Sequence, residues 1–291
     1  MPPPILEPIV VATENSPHAV RLLARQGKHT SPTAGYAPGY IQANLLVVPR
    51  AYATDFHSLC LRNPVPCPLL AIGSATSLIS PTPTTPPLLT HPFDLRSDIP
   101  RYNVYHAGRL TASGITDISE LWSSADSHVA FLIGCSFSFE GALMAAGLMP
   151  RHVEMGCNVA MYSTSRKLNP AGVFTDGTYV VSMRPYPQDQ VERVRDITRP
   201  YAAMHGEPIA WGWEAVQELG IADLGAPEFG DAVEIKEGEV PVFWGCGVTP
   251  QNAIMRAGDK IKGTVMAHAP GHMLVTDVRE EEYFKTQATV L

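Results

Sequence analysis

The chain has 291 residues, of which 45% are hydrophobic and 17% charged, a composition typical of a globular protein with a sizeable core. The formal net charge is −7 and no basic run is present, which argues against a nucleic-acid partner and favours a small molecule. No apolar stretch approaches the roughly 18 residues of a membrane span. We therefore expect no membrane association and a cytoplasmic protein, with a mitochondrial location left open. The five cysteines form no Cys-x-x-Cys, so we expect reduced thiols.

Helices and strands alternate in the first third of the chain. Apolar spacing predicts helices over 18–26 and near 52–63, and continuous apolar runs predict buried strands at 41–49 and 67–73. Residues 73–92 are rich in Pro, Thr and Ser and have no period. We interpret this segment as a surface loop that the core does not need.

Two later strands look alike. HVAFLIG at 128–134 and VPVFWG at 240–245 are continuous apolar runs of the kind that central strands of parallel sheets use. Each run ends at Gly-Cys and is followed by a predicted helix, with Ser138 and Thr249 as the candidate N-caps. Alternation of strands and helices predicts the α/β fold class.

The similarity extends into a repeat. GCSFSFEGALMAAG at 134–147 matches GCGVTPQNAIMRAG at 245–258, and the match continues with 152–164 over 264–276. We read an internal repeat of strand, Gly-Cys loop, helix, strand, loop and strand. If the copies are related by a pseudo-twofold axis, both loops converge on one crevice.

The repeated loops carry the first chemical candidates. Cys135 and Cys246 each lie between a strand end and a helix start, where a thiol can be activated, although small apolar packing residues are an equal alternative. Glu140 and Gln251 occupy equivalent positions one turn later. Glu140 is the one ionisable group besides the thiol in an apolar stretch, so burial would raise its pKa and suit it to proton transfer. Simple stabilisation of the helix is the alternative.

A histidine pair and an arginine are the next candidates. His268 and His272 flank Ala-Pro-Gly, which does not form the helix that a His-x-x-x-His metal site needs. We therefore expect acid–base, substrate-contacting or structural roles and no metal. Arg184 ends the apolar strand VVSMRP, and a guanidinium there needs an anion, either a substrate carboxylate or an acidic side chain of the protein.

Further candidates for substrate binding are polar residues beside predicted strands or within the repeated loops. They are Tyr40, Gln42, Asn44, Arg96, Ser136, Ser138, Asn158 and Thr249. Packing of the loops is the alternative role for each.

Several of these stretches resemble one known family. SPTAGYAPGYIQANLLVVP, DLRSDIPRYNVY, FLIGCSFSFE, FGDAVEIKEGEVPVFWGCGVTPQ and HAPGHMLVTD resemble, in this order, the signature blocks of the hydro-lyase family related to D-glutamate cyclase. The resemblance implies removal of water, with D-glutamate closing to 5-oxo-D-proline as the named reaction. It also implies a three-layer α/β domain joined to a smaller two-layer α/β domain. Ala160 and Ser165 stand where the family tends to have Pro and Asn, which we expect to alter the pocket.

We divide the chain accordingly into a main domain of 1–110 plus 221–291 and a smaller domain of 111–220. Within this scheme Arg184 would anchor a carboxylate, Glu140 or His272 would move protons, and backbone N–H groups after the two cysteines would face the oxyanion. No nucleotide-binding motif is present, so we expect no organic cofactor.

Two other functions stay open at this point. The paired thiols would suit a cofactor-independent amino-acid racemase or epimerase, in which they act on opposite faces of an α-carbon. A non-catalytic protein that binds a small molecule would keep the same pocket. The expected partner is a small carboxylate in each case, and a homo-oligomer is left open.

Overall fold

The computed structural model describes residues 16–80, 86–124 and 127–288, which form two β-sheets with helices packed against them. The strands are β1 (Tyr40–Pro49), β2 (Leu69–Gly73), β3 (Leu78–Ile79), β4 (Tyr102–His106), β5 (Arg109–Ile115), β6 (His128–Gly134), β7 (Ala160–Lys167), β8 (Thr178–Pro187), β9 (Ala210–Trp211), β10 (Glu239–Gly245), β11 (Thr264–His268) and β12 (Leu274–Arg279). The helices are α1 (Pro17–Arg25), α2 (Ala53–Arg62), α3 (Phe137–Ala145), α4 (Arg151–Met155), α5 (Val191–Thr198), α6 (Trp213–Glu218), α7 (Thr249–Ala257) and α8 (Glu280–Ala288). None of the helices in the described ranges combines the length and apolarity that a membrane span requires.

Every strand pairing in the two sheets is antiparallel. The larger sheet has the order β3-β2-β6-β1-β11-β4-β5, with β12 also paired to β1, and the smaller has the order β7-β8-β10-β9. The mixed α/β class is therefore confirmed, but the expectation of parallel central strands is wrong. β6 and β10 are central, and side chains on both of their faces are buried, so the continuous apolar runs reflect burial and not strand direction.

The helices that follow the Gly-Cys loops each cross to the other sheet. α3 leaves β6 of the larger sheet and packs Phe139 and Leu143 into the core with Trp244 of the smaller sheet. α7 leaves β10 of the smaller sheet and packs Ala253 and Ile254 into the core of the larger one. The two loops therefore meet where the sheets adjoin.

The proposed repeat fails at the start of its second half, although its last strands, β7 and β12, overlap in the alignment. Residues 151–155 form helix α4, because Pro150 precedes its first turn and Gly156 ends it with a positive φ of 63°. The matching residues 264–268 form strand β11.

The predicted N-caps also have other roles. Ser138 lies inside α3, where its hydroxyl accepts the backbone N–H of Gln42. Thr249 begins α7, and its hydroxyl bonds both the N–H and the C=O of Val180. Neither side chain caps its own helix.

The structure has a different internal similarity. β1 and β8 are both ten residues long, both end in proline, and both lead through one turn of 3₁₀ helix into an α-helix. β1 pairs Ala43 with Gly134, and β8 pairs Val181 with Gly245 in the same way. The two strand sequences differ too much for this similarity to be read from the sequence.

Sheet membership differs from the predicted domain division. β6 lies within the range predicted for the smaller domain but joins the larger sheet, and β10 lies within the range of the main domain but joins the smaller sheet. The domain boundaries themselves stay a prediction.

The segment 73–92 is not a dispensable loop in the part that the structure describes, although residues 81–85 lie outside the described ranges. Leu88 and Leu89 are buried in the core of the larger sheet. The Asp277 carboxylate accepts the backbone N–H groups of Thr90 and His91, and it pairs with the buried Arg21. This segment therefore packs against the core, although its sequence has no helical or strand periodicity.

This packing predicts that Leu88→Ala lowers the free energy of unfolding by about 2 to 3 kcal/mol, because it removes a buried side chain and leaves a cavity. Ile79→Ala in the same segment is the control, since Ile79 is 73% exposed and the expected change is within about 0.5 kcal/mol. Urea unfolding measures both. Equal, small effects would restore the interpretation of this segment as a loop.

Candidate functional site

A cavity of about 620 Å³ opens between the segment 31–42, helix α3 and the turn after α4, and we call it the outer cavity. Tyr40 and Gln42 of the predicted candidates lie in its wall, as do Glu140 and Asn158. Its size suits a small metabolite. These four are the predicted site residues that line the outer cavity.

A buried ion pair supports the wall of the outer cavity. The Arg184 guanidinium donates from Nε and Nη2 to Oε1 of Glu140, at 2.9 and 2.5 Å. Nη1 donates to the hydroxyl of Ser182 at 3.1 Å, and Nη2 also donates to the hydroxyl of Ser136 at 3.0 Å. Arg184 therefore pairs with an acidic side chain of the protein, which is the second of the two predicted alternatives. Its Nε and Nη2 are occupied by Glu140, so they cannot bind a substrate carboxylate as a bidentate pair.

The pKa of Glu140 differs from the expectation. Burial alone raises the pKa of this carboxyl, but the charges of His152 and Arg184 outweigh burial and lower the pKa to about 2. The expected raised pKa is wrong, because the sequence did not show that two basic groups face the carboxylate. Glu140 is ionised at neutral pH and orients its partners.

His152 is the base that the carboxylate orients. Its Nε2 lies 3.2 Å from Oε1 of Glu140, and its ring stacks on Phe137 with centroids 6.3 Å apart. The side chain is only 2% exposed, yet it lines the outer cavity. Neither Nδ1 nor Nε2 has a hydrogen-bond partner among the described residues, so Nε2 meets Glu140 as an ion-pair contact. A carboxylate close to one imidazole nitrogen favours the proton on that nitrogen and leaves the other available for proton transfer.

The lining of the outer cavity is acidic. Glu140, Asp231 and Glu280 contribute carboxyl groups, and among the described lining residues His152 is the one basic side chain. Oδ2 of Asp231 accepts the backbone N–H of Asn158 at 2.9 Å. Burial raises the pKa of Glu280 to about 7. The pKa of the Glu280 carboxyl group is thus shifted toward neutral pH, whereas that of Glu140 is shifted away from it.

Both Gly-Cys loops open onto a second, much smaller cavity, the inner chamber, of about 20 Å³. Cys135 and Cys246 line it, and Phe137 and Asn158 line both cavities. The chamber has room for about one water molecule. The convergence of the two loops agrees with the sequence, but the shared space is too small for the substrate.

Glycine is needed beside this chamber. A Cβ on Gly247 would lie 2.0 Å from the side-chain nitrogen of Asn44, which is closer than atoms can approach. That nitrogen donates to the C=O of Gly134 at 2.7 Å. The Asn44 amide thus bonds the first loop and lies against Gly247 of the second.

The two thiols are protonated at neutral pH. Burial raises the pKa of Cys135 far above its ordinary value and that of Cys246 to about 11. A racemase with paired thiols needs one thiolate as its base. The environment of the sulfurs therefore argues against that alternative.

His268 lines the inner chamber and is neutral, since burial lowers its pKa to about 4. Its Nδ1 lies 3.2 Å from the N–H and 3.1 Å from the C=O of Leu45. The other nitrogen has no hydrogen-bond partner among the described residues. His268 is thus a neutral lining residue with one ring nitrogen left unpartnered.

Several predicted residues lie outside both cavities. His272 contacts the C=O of Pro270 at 3.0 Å, and burial lowers its pKa. Gln251 accepts the hydroxyl of Tyr105. Arg96 forms a two-point ion pair with Asp94. The predicted single pocket is therefore wrong in including Gln251 and His272, since neither residue lines the outer cavity or the inner chamber.

Three residues of the outer cavity were missed by the sequence analysis. His152 was read as part of a strand, Asp231 belongs to a polar turn, and Glu280 begins a run of three glutamates. Acidic runs usually mark solvated surface, so the sequence offered no signal for Glu280. His152 is twelve positions from Glu140 along the chain, and this spacing does not predict a contact within one helix or strand.

Comparison with known proteins gives the family. Residues 129–277 match the family model described as D-glutamate cyclase. A relative from Rubrobacter xylanophilus is 51% identical over 89% of this chain and 94% of its own length. Relatives from Schizosaccharomyces pombe and Bordetella petrii are 48% and 49% identical, each over 90% of this chain and over 84% and 93% of their own lengths. All three carry the name "Putative hydro-lyase".

One solved structure, of a nitrogen repressor-like protein from Methanococcus jannaschii, aligns over 89% of this chain and 98% of that one. Its TM-score of 0.34 and 10% identity are too low to establish a common fold. The sequence matches carry the assignment. The chain belongs to the D-glutamate cyclase family, and this membership places it among the carbon–oxygen lyases.

Proposed function

We propose that the chain is a hydro-lyase that acts on a small amino or oxo dicarboxylic acid in the outer cavity. The reaction we propose is closure of D-glutamate to 5-oxo-D-proline with release of water. One observation carries the proposal: a histidine held by the buried Glu140–Arg184 pair lines a cavity of about 620 Å³. A base fixed in this way inside a metabolite-sized cavity suits proton transfer on a bound amino acid.

His152 is the proton acceptor in this proposal. We place the ring proton on Nε2, which lies 3.2 Å from Oε1 of Glu140, so that Nδ1 carries the lone pair that removes a proton from the substrate ammonium. The neutral amine then attacks the side-chain carboxyl carbon and closes the ring. Arg184 keeps Glu140 ionised, and Glu140 keeps His152 in the tautomer that can accept the proton.

Polar groups of the outer cavity can hold the rest of the substrate. Oε1 of Gln42 is buried without a hydrogen-bond partner among the described residues, while Nε2 donates to the C=O groups of Thr33 and Tyr36. That free acceptor suits the substrate ammonium. The hydroxyl groups of Ser31 and Tyr40 and the amide of Asn158 are donors for the carboxylates.

The remaining features of the proposal follow from the sequence. We propose that the reaction uses no organic cofactor, that it takes place in the cytoplasm or mitochondria, and that a small carboxylate is the partner of this site. Non-catalytic binding is the other outcome, and turnover decides between the two.

We predict that His152→Asn lowers kcat for D-glutamate about 10²- to 10⁴-fold, because it removes the base. His106→Asn is the matched control, since His106 is exposed at the end of β4 and lies outside the cavity. Chiral chromatography of 5-oxo-D-proline measures both rates. An unchanged rate in the folded His152→Asn variant would show that His152 is not the base.

We predict that Arg184→Lys lowers the free energy of unfolding, and that it lowers kcat by a larger factor than it raises KM. One ammonium cannot bond Glu140, Ser136 and Ser182 together. The loss in unfolding free energy should be about 1 to 3 kcal/mol, because buried hydrogen-bond partners of the guanidinium are left unsatisfied while one positive charge remains. Urea unfolding and steady-state kinetics measure the two effects. A rise in KM alone, with normal stability, would instead show that Arg184 binds the substrate.

A further inference from the structure

Glu280 has an unusual position among the acidic residues of the protein. It begins α8, and its backbone N–H donates to the C=O of Gly39 at 3.0 Å, which joins it to the segment 31–42. Its side chain is half-buried and lines the outer cavity. Within the described ranges its carboxyl group makes no hydrogen bond or ion pair, in contrast to Glu140 and Asp231.

The charge of the cavity gives this carboxyl group a role. A dicarboxylate that enters the outer cavity meets three carboxyl groups in its lining. The described lining residues include no Lys or Arg. Like charges within one cavity favour protonation of the group whose charge is least compensated. Glu140 is compensated by Arg184, and Asp231 accepts the N–H of Asn158, so Glu280 is the group that takes up the proton.

Resting on the proposed function, we propose that Glu280 is the second proton-transfer residue of the outer cavity, the acid that protonates the departing oxygen of the substrate carboxylate. In this proposal His152 is the base and Glu280 is the acid. Nothing in the sequence pattern had assigned Glu280 a function.

The protons balance in this scheme. Ring closure forms one C–N bond and breaks one C–O bond, and it turns an ammonium and a carboxylate into an amide and water. The two protons that the ammonium loses are the two that the departing oxygen gains. His152 and Glu280 carry them between these groups, and both end the cycle in their starting protonation states.

Several ionisable groups lie near Glu280. Burial and then the charge of Glu280 raise the pKa of Tyr201. The Arg279 guanidinium lies 4.8 Å from the ring centroid of Tyr40. The other titratable groups nearby are Glu281 and Glu282 on its own helix, and Asp231, Glu140 and His152 in the cavity wall.

The test compares Glu280→Gln with Glu282→Gln, the same change two residues along the helix on an exposed side chain outside the cavity lining. We expect kcat for D-glutamate to fall about 10²-fold or more in Glu280→Gln and to stay within about twofold in Glu282→Gln. Glu280→Asp, which keeps a carboxyl group, should retain more activity than Glu280→Gln. The fall in kcat at alkaline pH should be present in the wild type and absent from the residual rate of Glu280→Gln.

Calorimetry with glutarate supplies a readout that needs no turnover. Glutarate has both carboxylates but no amine and cannot cyclise. Titrations in buffers of different ionisation enthalpy should show uptake of a fraction of one proton near pH 7 by the wild type and by Glu282→Gln. Glu280→Gln should show none.

Folding of the variant is checked in the same pH range. The folded pKa of Glu280, about 7, lies above the ordinary value of 4.5, so the folded state binds this proton more tightly than the unfolded chain does. The wild type should therefore lose stability as pH rises from about 4.5 through about 7, and Glu280→Gln should lack this loss.

The outcomes separate the two proposals. An inactive wild type overturns the proposed function and, with it, the acid role of Glu280. An active wild type with an equally active Glu280→Gln, or with unchanged proton uptake in that variant, overturns the role of Glu280 alone.

Discussion

The buried pair between Glu140 and Arg184 is the interaction on which the site depends. Glu140 lies on α3, which follows a strand of the larger sheet, and Arg184 lies in β8 of the smaller sheet, so the pair joins the two sheets. Both ions are almost completely removed from water. Such a pair stabilises a protein only if its hydrogen bonds are complete, and here Ser136 and Ser182 satisfy the rest of the guanidinium. The arrangement fixes His152 as a consequence.

The acidity of the outer cavity constrains any substrate. A dicarboxylate must meet its partners in hydroxyl and amide donors and in protonated carboxyl groups, since the described lining has no Lys or Arg. The amine of an amino acid fits this environment better than an additional anion would. Cyclisation also removes one ammonium and one carboxylate together, so the net charge in the cavity does not change during the reaction.

Much of the fold could be predicted from the sequence, because apolar runs and helical spacing are local. The central strands β1, β6 and β10 and the helices after the Gly-Cys loops follow from such patterns, and so does the meeting of Cys135 with Cys246 at one chamber. Strand direction could not be predicted, since burial on both faces gives the same apolar run in parallel and antiparallel sheets. The partner of Arg184 lies 44 positions away, so only the tertiary structure identifies it. His152 and Glu280 acquire their environments from the same distant contacts.

The most direct test of the account follows the oxygen atoms of the substrate. D-glutamate labelled with heavy oxygen at both side-chain carboxylate positions is incubated with the protein in heavy water, and the products are analysed by mass spectrometry against a sample without protein. The account predicts 5-oxo-D-proline that keeps one of the two oxygen labels and has no deuterium at the α-carbon, at a rate above the uncatalysed one. Glutamate that keeps both labels, whether it gains deuterium at the α-carbon or stays unchanged, would contradict the account.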